Sequence, residues 1–125
     1  MPHTIRYNQE ECIIELHIQG LITLNEFKDV ISEVAHTVYE NHCLLILSDY
    51  RQATLKLSAF EIYDVPKIIM NTDTPSYISE REVKRALVVT EITEDFHFLE
   101  TVSANRGQPV KLFTDVDKAK AWLLE

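Results

Sequence analysis

The sequence predicts a single α/β domain over residues 1–125, built on a mixed, mostly parallel sheet of about five strands with helices packed on it. Two apolar runs of strand length, Cys43 to Leu47 and Ala86 to Val89, alternate with segments whose apolar residues recur at helical spacing. Only two glycines and four prolines interrupt 125 residues, 46% of them hydrophobic, which argues for dense regular structure around an ordinary core.

The chain opens with two predicted strands, residues 3 to 8 and 11 to 18, joined tightly around Asn8-Gln9-Glu10 as an antiparallel hairpin. In the second, Cys12, Ile14, Leu16 and Ile18 alternate with Ile13, Glu15 and His17, the period of a strand with one better buried face. Gln19-Gly20 is expected to break that run. Thr23 and Glu26 then have the spacing of a capping box, and Leu24, Phe27, Ile31, Val34, Ala35 and Val38 define one face of a helix to about residue 40. The run Cys43 to Leu47 is apolar throughout, as expected of a central strand covered on both faces. Strand, helix and buried strand form a parallel crossover unit, whose expected hand is right.

After Asp49-Tyr50-Arg51, Ser58 and Glu61 repeat the capping-box spacing, and Pro66 is expected to split the second helical stretch into two short pieces. Residues 71 to 80 are polar, contain Pro75, and are expected to be loop. Ala86 to Val89 is the next strand. Thr93 caps a helix carrying Phe96, Leu99 and Val102, closed by Arg106-Gly107. Val110 to Phe113 is a short edge strand. A last helix from about Asp115 is expected to bury Val116, Ala119, Trp122 and Leu123.

Charge and motif content exclude several functions. The net charge of −8 repels polyanions, and the basic cluster Arg81, Lys84 and Arg85 is diluted by Glu80 and Glu82, so no nucleic-acid binding is expected. Met1-Pro2-His3-Thr4 lacks the features of a secretory signal and no apolar run approaches the ~18 residues of a membrane span, which predicts a cytoplasmic protein without one. Two glycines supply neither a dinucleotide fingerprint nor a phosphate loop, so no cofactor is expected. His36 with Glu40 and Glu94 with His97 are helical pairs without a second half, so no metal site is expected either. Cys12 and Cys43 lie in apolar runs and read as small packed side chains rather than nucleophiles.

In open α/β sheets ligands favour the crevice beyond the carboxyl ends of the parallel strands. Asp49, Tyr50 and Arg51 follow the central strand, Thr90 and Glu91 the next, and Thr114 and Asp115 the last. The candidate ligand contacts are Asp49, Tyr50, Arg51 and Glu91, with the loop around Tyr77 as a cover. Arg51 would anchor an acidic or phosphate group, and the two tyrosines would offer apolar faces with a hydroxyl. The competing reading is that Asp49 and Arg51 pair with each other or with neighbours and that Thr114 or Asp115 caps the last helix.

The C-terminal half carries Arg85-Ala86-Leu87-Val88-Val89, Phe96-His97-Phe98-Leu99-Glu100-Thr101-Val102, Arg106-Gly107, and Val110 to Asp115 leading to Ala119-Lys120-Ala121-Trp122-Leu123. It resembles the bacterial STAS-like (SpoIIAA-like) family, whose members often finish with a strand, a Phe-x-Asp turn and an Ala-x-x-Trp-Leu helix. The resemblance implies a mixed sheet with packed helices, related to anti-anti-sigma factors and to lipid-binding Sec14-type domains. Anti-anti-sigma proteins carry a phosphorylatable serine in an Asp-Ser-x-Gly type turn after the central strand. The matching stretch here is Asp49-Tyr50-Arg51-Gln52, without that serine, so no phosphorylation site is expected, and Ser58 is explained as a helix cap.

No convergent catalytic set emerges, and no catalytic residue is assigned. The function expected is a non-enzymatic regulatory or adaptor module for a protein partner or a small amphipathic ligand, with homo-oligomerisation left open. Carriage of a lipid or other apolar small molecule is the alternative, and an enzyme of unassigned class comes third.

Overall fold

The computed structural model describes residues 3–70 and 82–125, with the side chains of 69 and 70 outside that description. Strands β1 (His3–Asn8) and β2 (Ile13–Ile22) lead into helix α1 (Leu24–Asn41), strand β3 (Leu45–Leu55) and helix α2 (Ala59–Met70). Strand β4 (Lys84–Val88), helix α3 (Glu94–Asn105), strand β5 (Val110–Phe113) and helix α4 (Val116–Leu123) complete the chain. The five strands lie in the order β1-β2-β3-β4-β5; β1 and β2 are antiparallel and the other pairs parallel. The α/β class, the mostly parallel sheet and the central place of the third strand are as the sequence predicts.

When strands are added in one direction through crossovers of a single hand, every connecting helix falls on the same face of the sheet. The core obeys that rule. Phe27 and Val30 of α1, Ile62 and Val65 of α2, and Phe96, Leu99 and Val102 of α3 pack together on Leu16, Ile18, Tyr50, Leu87 and Leu112. The opposite face meets α4, where Ala119 and Leu123 pack on Ile13, Leu47, Ala86 and Val88. Asp49 and Arg51 extend that second face with polar side chains beyond α4.

Caps fix the helix starts. Thr23 and Glu26 form the predicted capping box. Ser58 N–H donates to Glu61 Oε1 at 2.8 Å while Glu61 N–H donates to Ser58 Oγ at 3.2 Å. Thr93 and Asp115 cap α3 and α4. Gly107 closes α3 with φ of 75°, a left-handed conformation that glycine adopts without steric cost.

Five expectations need correction. β2 continues through Gly20, which stays in the ladder opposite Ala53 at φ 84°; the register shift between His17 and Gln19 puts one extra residue on β3, between Asp49 and Gln52. β3 runs to Leu55, so Asp49-Tyr50-Arg51-Gln52 is strand rather than turn; β2 pairs with it as far as Leu55. Pro66 lies inside one continuous helix, where Ile62, Val65 and Pro66 are fully buried and packing outweighs the local cost of the ring. Trp122 and Val116 are only half-buried, and Ala119 and Leu123 carry the burial of α4. Cys12 is exposed in the β1–β2 turn instead of packed in a strand. No helix among the described residues is long and apolar enough to cross a membrane.

Candidate functional site

Alternation along β3 decides how the predicted site residues sit. Consecutive strand side chains point to opposite faces, so Asp49 and Arg51 share the polar face while Tyr50 enters the core. Arg51 wraps back on Asp49: its backbone N–H and Nε donate to Oδ1, each at 3.0 Å, and Nη2 donates to Oδ2 at 2.8 Å. His17, directly opposite in β2, brings Nδ1 to 3.4 Å from the same carboxylate. Desolvation alone would raise the Asp49 carboxyl, but hydrogen bonds from Arg51 and the charges of Arg51 and His17 outweigh it and hold the group below its usual range. Tyr50 is 5% exposed and packs edge-on against Phe96 at 5.6 Å, and burial pushes its phenol far above the ordinary value.

The expected site residues are therefore brought together in part. Asp49 and Arg51 form the salt bridge that the competing reading anticipated, with His17 as a third member. Thr90 Oγ1 donates to the Arg51 carbonyl at 3.0 Å and ties the end of β4 to β3, which leaves exposed Glu91 in the connection just beyond. Asp115 Oδ1 accepts from Asp117 N and Lys118 N, a capping arrangement. Tyr77 lies outside the described residues. His36 is committed to Glu40 one turn away, and among the described residues no three His, Cys, Asp or Glu side chains gather as a metal site.

Two features escaped the sequence reading. The first is a set of exposed apolar side chains in the segments after the parallel strands and at their ends: Leu21 is 61% exposed, Phe60 84% and Ile92 53%. Leu21 pairs in register with Thr54, Lys56 N–H donates to Ile22 O at 2.8 Å, and Phe60 comes in the first turn of α2, so the ends of β2 and β3 and the start of α2 adjoin. Ile92 lies between the end of β4 and the cap of α3. An apolar periodicity places such residues on a helix or strand but does not tell that the far side is bare.

The second is a cavity of about 100 Å³ between α1 and the sheet. Phe27, Val30, Val34 and Ala35 of α1, with Leu16, Ile46, Leu87 and Leu99, make its wall chiefly apolar, and Ser48, Tyr50, Arg85 and Ser103 also line it. The apolar members of this lining read in sequence as ordinary core. Only their incomplete meeting creates the space.

The fold is SpoIIAA-like. Over 98% of this chain and 92% of the other, it matches an uncharacterised DUF3478-family protein with a SpoIIAA-like fold from Shewanella loihica, with a TM-score of 0.60 at 14% identity. An anti-sigma factor antagonist from Mycobacterium paratuberculosis matches with a TM-score of 0.60 at 10% identity, over 99% of this chain and 96% of that one. No family model and no curated protein matches the sequence.

Proposed function

We propose that this chain is a regulatory module that binds a protein partner, without chemistry of its own, through the end of the sheet where β2 and β3 finish and the connection that follows β4. The observation that carries the reading is the exposure of Leu21 and Phe60 where β2, β3 and α2 adjoin, with Ile92 exposed in the connection after β4. Isolated exposed apolar residues are ordinary, but a group of them rimmed by polar side chains marks an interaction surface. Arg51 and Glu91 are exposed polar side chains on β3 and in the β4–α3 connection. Similarity of fold to an anti-sigma factor antagonist agrees with a protein partner.

Native mass spectrometry of the chain isolated from its own host tests the reading. A co-isolated polypeptide that is lost with Phe60→Asp and kept with Tyr39→Asp, a control on exposed α1 surface, supports it. A partner indifferent to Phe60→Asp and Leu21→Asp refutes this surface. Self-association through the same residues would make the partner a second copy.

The cavity supports a second reading, binding of a small apolar molecule. A cavity of about 150 Å³ lined by aliphatic side chains accepts benzene. One of about 100 Å³ suits a smaller guest, and a diacyl lipid would require α1 to move off the sheet. Xenon NMR tests this: a concentration-dependent shift abolished by Ala35→Leu supports a dry binding cavity, and no shift refutes it.

A further inference from the structure

We infer that Cys12 and Cys43 form a dithiol site that a small-molecule disulfide oxidises to an intramolecular disulfide. The chain contains only these two cysteines. Cys12 immediately precedes β2 and Cys43 lies two residues before its parallel partner β3, so both sit where these two strands begin. The two residues touch through the main chain: the Cys43 thiol donates to the Cys12 carbonyl oxygen at 3.2 Å, while the Cys12 thiol donates to the Gln9 carbonyl at 3.6 Å and must rotate about its Cα–Cβ bond to meet Cys43. Tyr7 stands beside both: desolvation, a hydrogen bond with Cys12 and the nearness of the two sulfurs all push its phenol upward.

The two thiols differ in the way that such an exchange requires. Cys12 is exposed, at the end of the β1–β2 turn, in a left-handed conformation (φ 57°) uncommon for a residue with a side chain. Cys43 is 5% exposed between α1 and β3. Accessible Cys12 attacks first and buried Cys43 resolves. The Cys12 thiolate displaces one thiolate from oxidised glutathione, which takes up a proton, and a mixed disulfide forms on Cys12. The Cys43 thiolate then attacks the Cys12 sulfur and expels the second glutathione. Two protein thiols lose two electrons and two protons, and the small disulfide becomes two thiols. The new bond joins the β1–β2 turn to the carboxyl end of α1, the helix that roofs the cavity.

Intact-mass analysis of the folded chain incubated with oxidised glutathione decides the matter. The expected product has lost two hydrogens, carries no adduct, has no thiol left for iodoacetamide and melts at higher temperature than the reduced chain. Cys43→Ser, and Cys43→Ala as a second variant, should stop at the glutathione adduct on Cys12, and Cys12→Ser should stay unmodified while folded. A wild-type chain that accumulates the glutathione adduct, links to a second copy through Cys12, or keeps both thiols overturns the inference.

Discussion

The side-chain amide of Gln108 donates a 3.1 Å hydrogen bond to the main-chain carbonyl of Pro66, joining the segment before β5 to the interior of α2. Gln108 is 1% exposed, and it reaches α2 at the residue that sequence marks as a helix breaker. Gln108→Ala leaves that carbonyl without its side-chain donor and opens space beside it. Urea denaturation should show a loss of about 1–3 kcal/mol. A variant as stable as wild type would show that α2 holds its course through Pro66 without this bond.

On α4, Leu123 rather than the tryptophan carries the packing. Leu123→Ala should cost about 2–5 kcal/mol, the range for emptying a buried leucine position. Trp122 is half-buried, with Phe113 at 5.8 Å and the Lys84 ammonium 4.4 Å from its ring. Trp122→Ala is expected to cost less than Leu123→Ala when the two are unfolded side by side, and the opposite ranking would contradict this assignment.

Ser58→Ala should reduce stability by about 0.5–2 kcal/mol, because it removes the hydroxyl that accepts from Glu61 N–H at the start of α2. Thermal unfolding measures it. Partner affinity that changed with Ser58→Asp, together with stoichiometric phosphate on Ser58 in cells, would instead make the residue a switch.

Asp49 contributes to the acid limb of stability. Its folded pKa is lowered beneath the unfolded value of about 3.9, so its contribution is fully present above that value and is lost as pH falls through the folded one. Asp49→Asn should flatten this limb, with a difference at pH 7 of no more than about 1 kcal/mol for a pair whose arginine is solvent-accessible. Unfolding curves between about pH 7 and pH 2 compare the two chains. Parallel curves would show that the carboxylate is not stabilised by its neighbours.

Much of the fold is legible because its signals are local. Thr23 with Glu26 and Ser58 with Glu61 announce helix starts by spacing alone, and Gly107 announces an end. The runs before Leu47 and Val89 are apolar on both faces because helices cover both. Local inference fails where tertiary contacts decide. Nothing near Pro66 reveals that Gln108 will meet its carbonyl, and nothing near Asp49 reveals that β2 will carry β3 on to Leu55. The candidate site is less legible for the same reason: Asp49, Tyr50 and Arg51 read as a cluster in a turn, but a strand sends them to two faces. The exposure of Phe60 and the cavity under α1 are properties of the assembled surface and core.

The strand order has a consequence for how the chain acquires its structure. Each strand pairs with its neighbour in sequence, so the sheet can grow strand by strand in the direction of synthesis, with no early segment waiting for a distant one. Only the second layer waits. Ala86 and Val88 have their α4 partners at Ala119 and Leu123, which follow all five strands in the order of synthesis. Until then the nascent chain bears a bare apolar strip beside an otherwise finished core, and the interval before α4 docks is when aggregation and chaperone capture compete with completion of the fold.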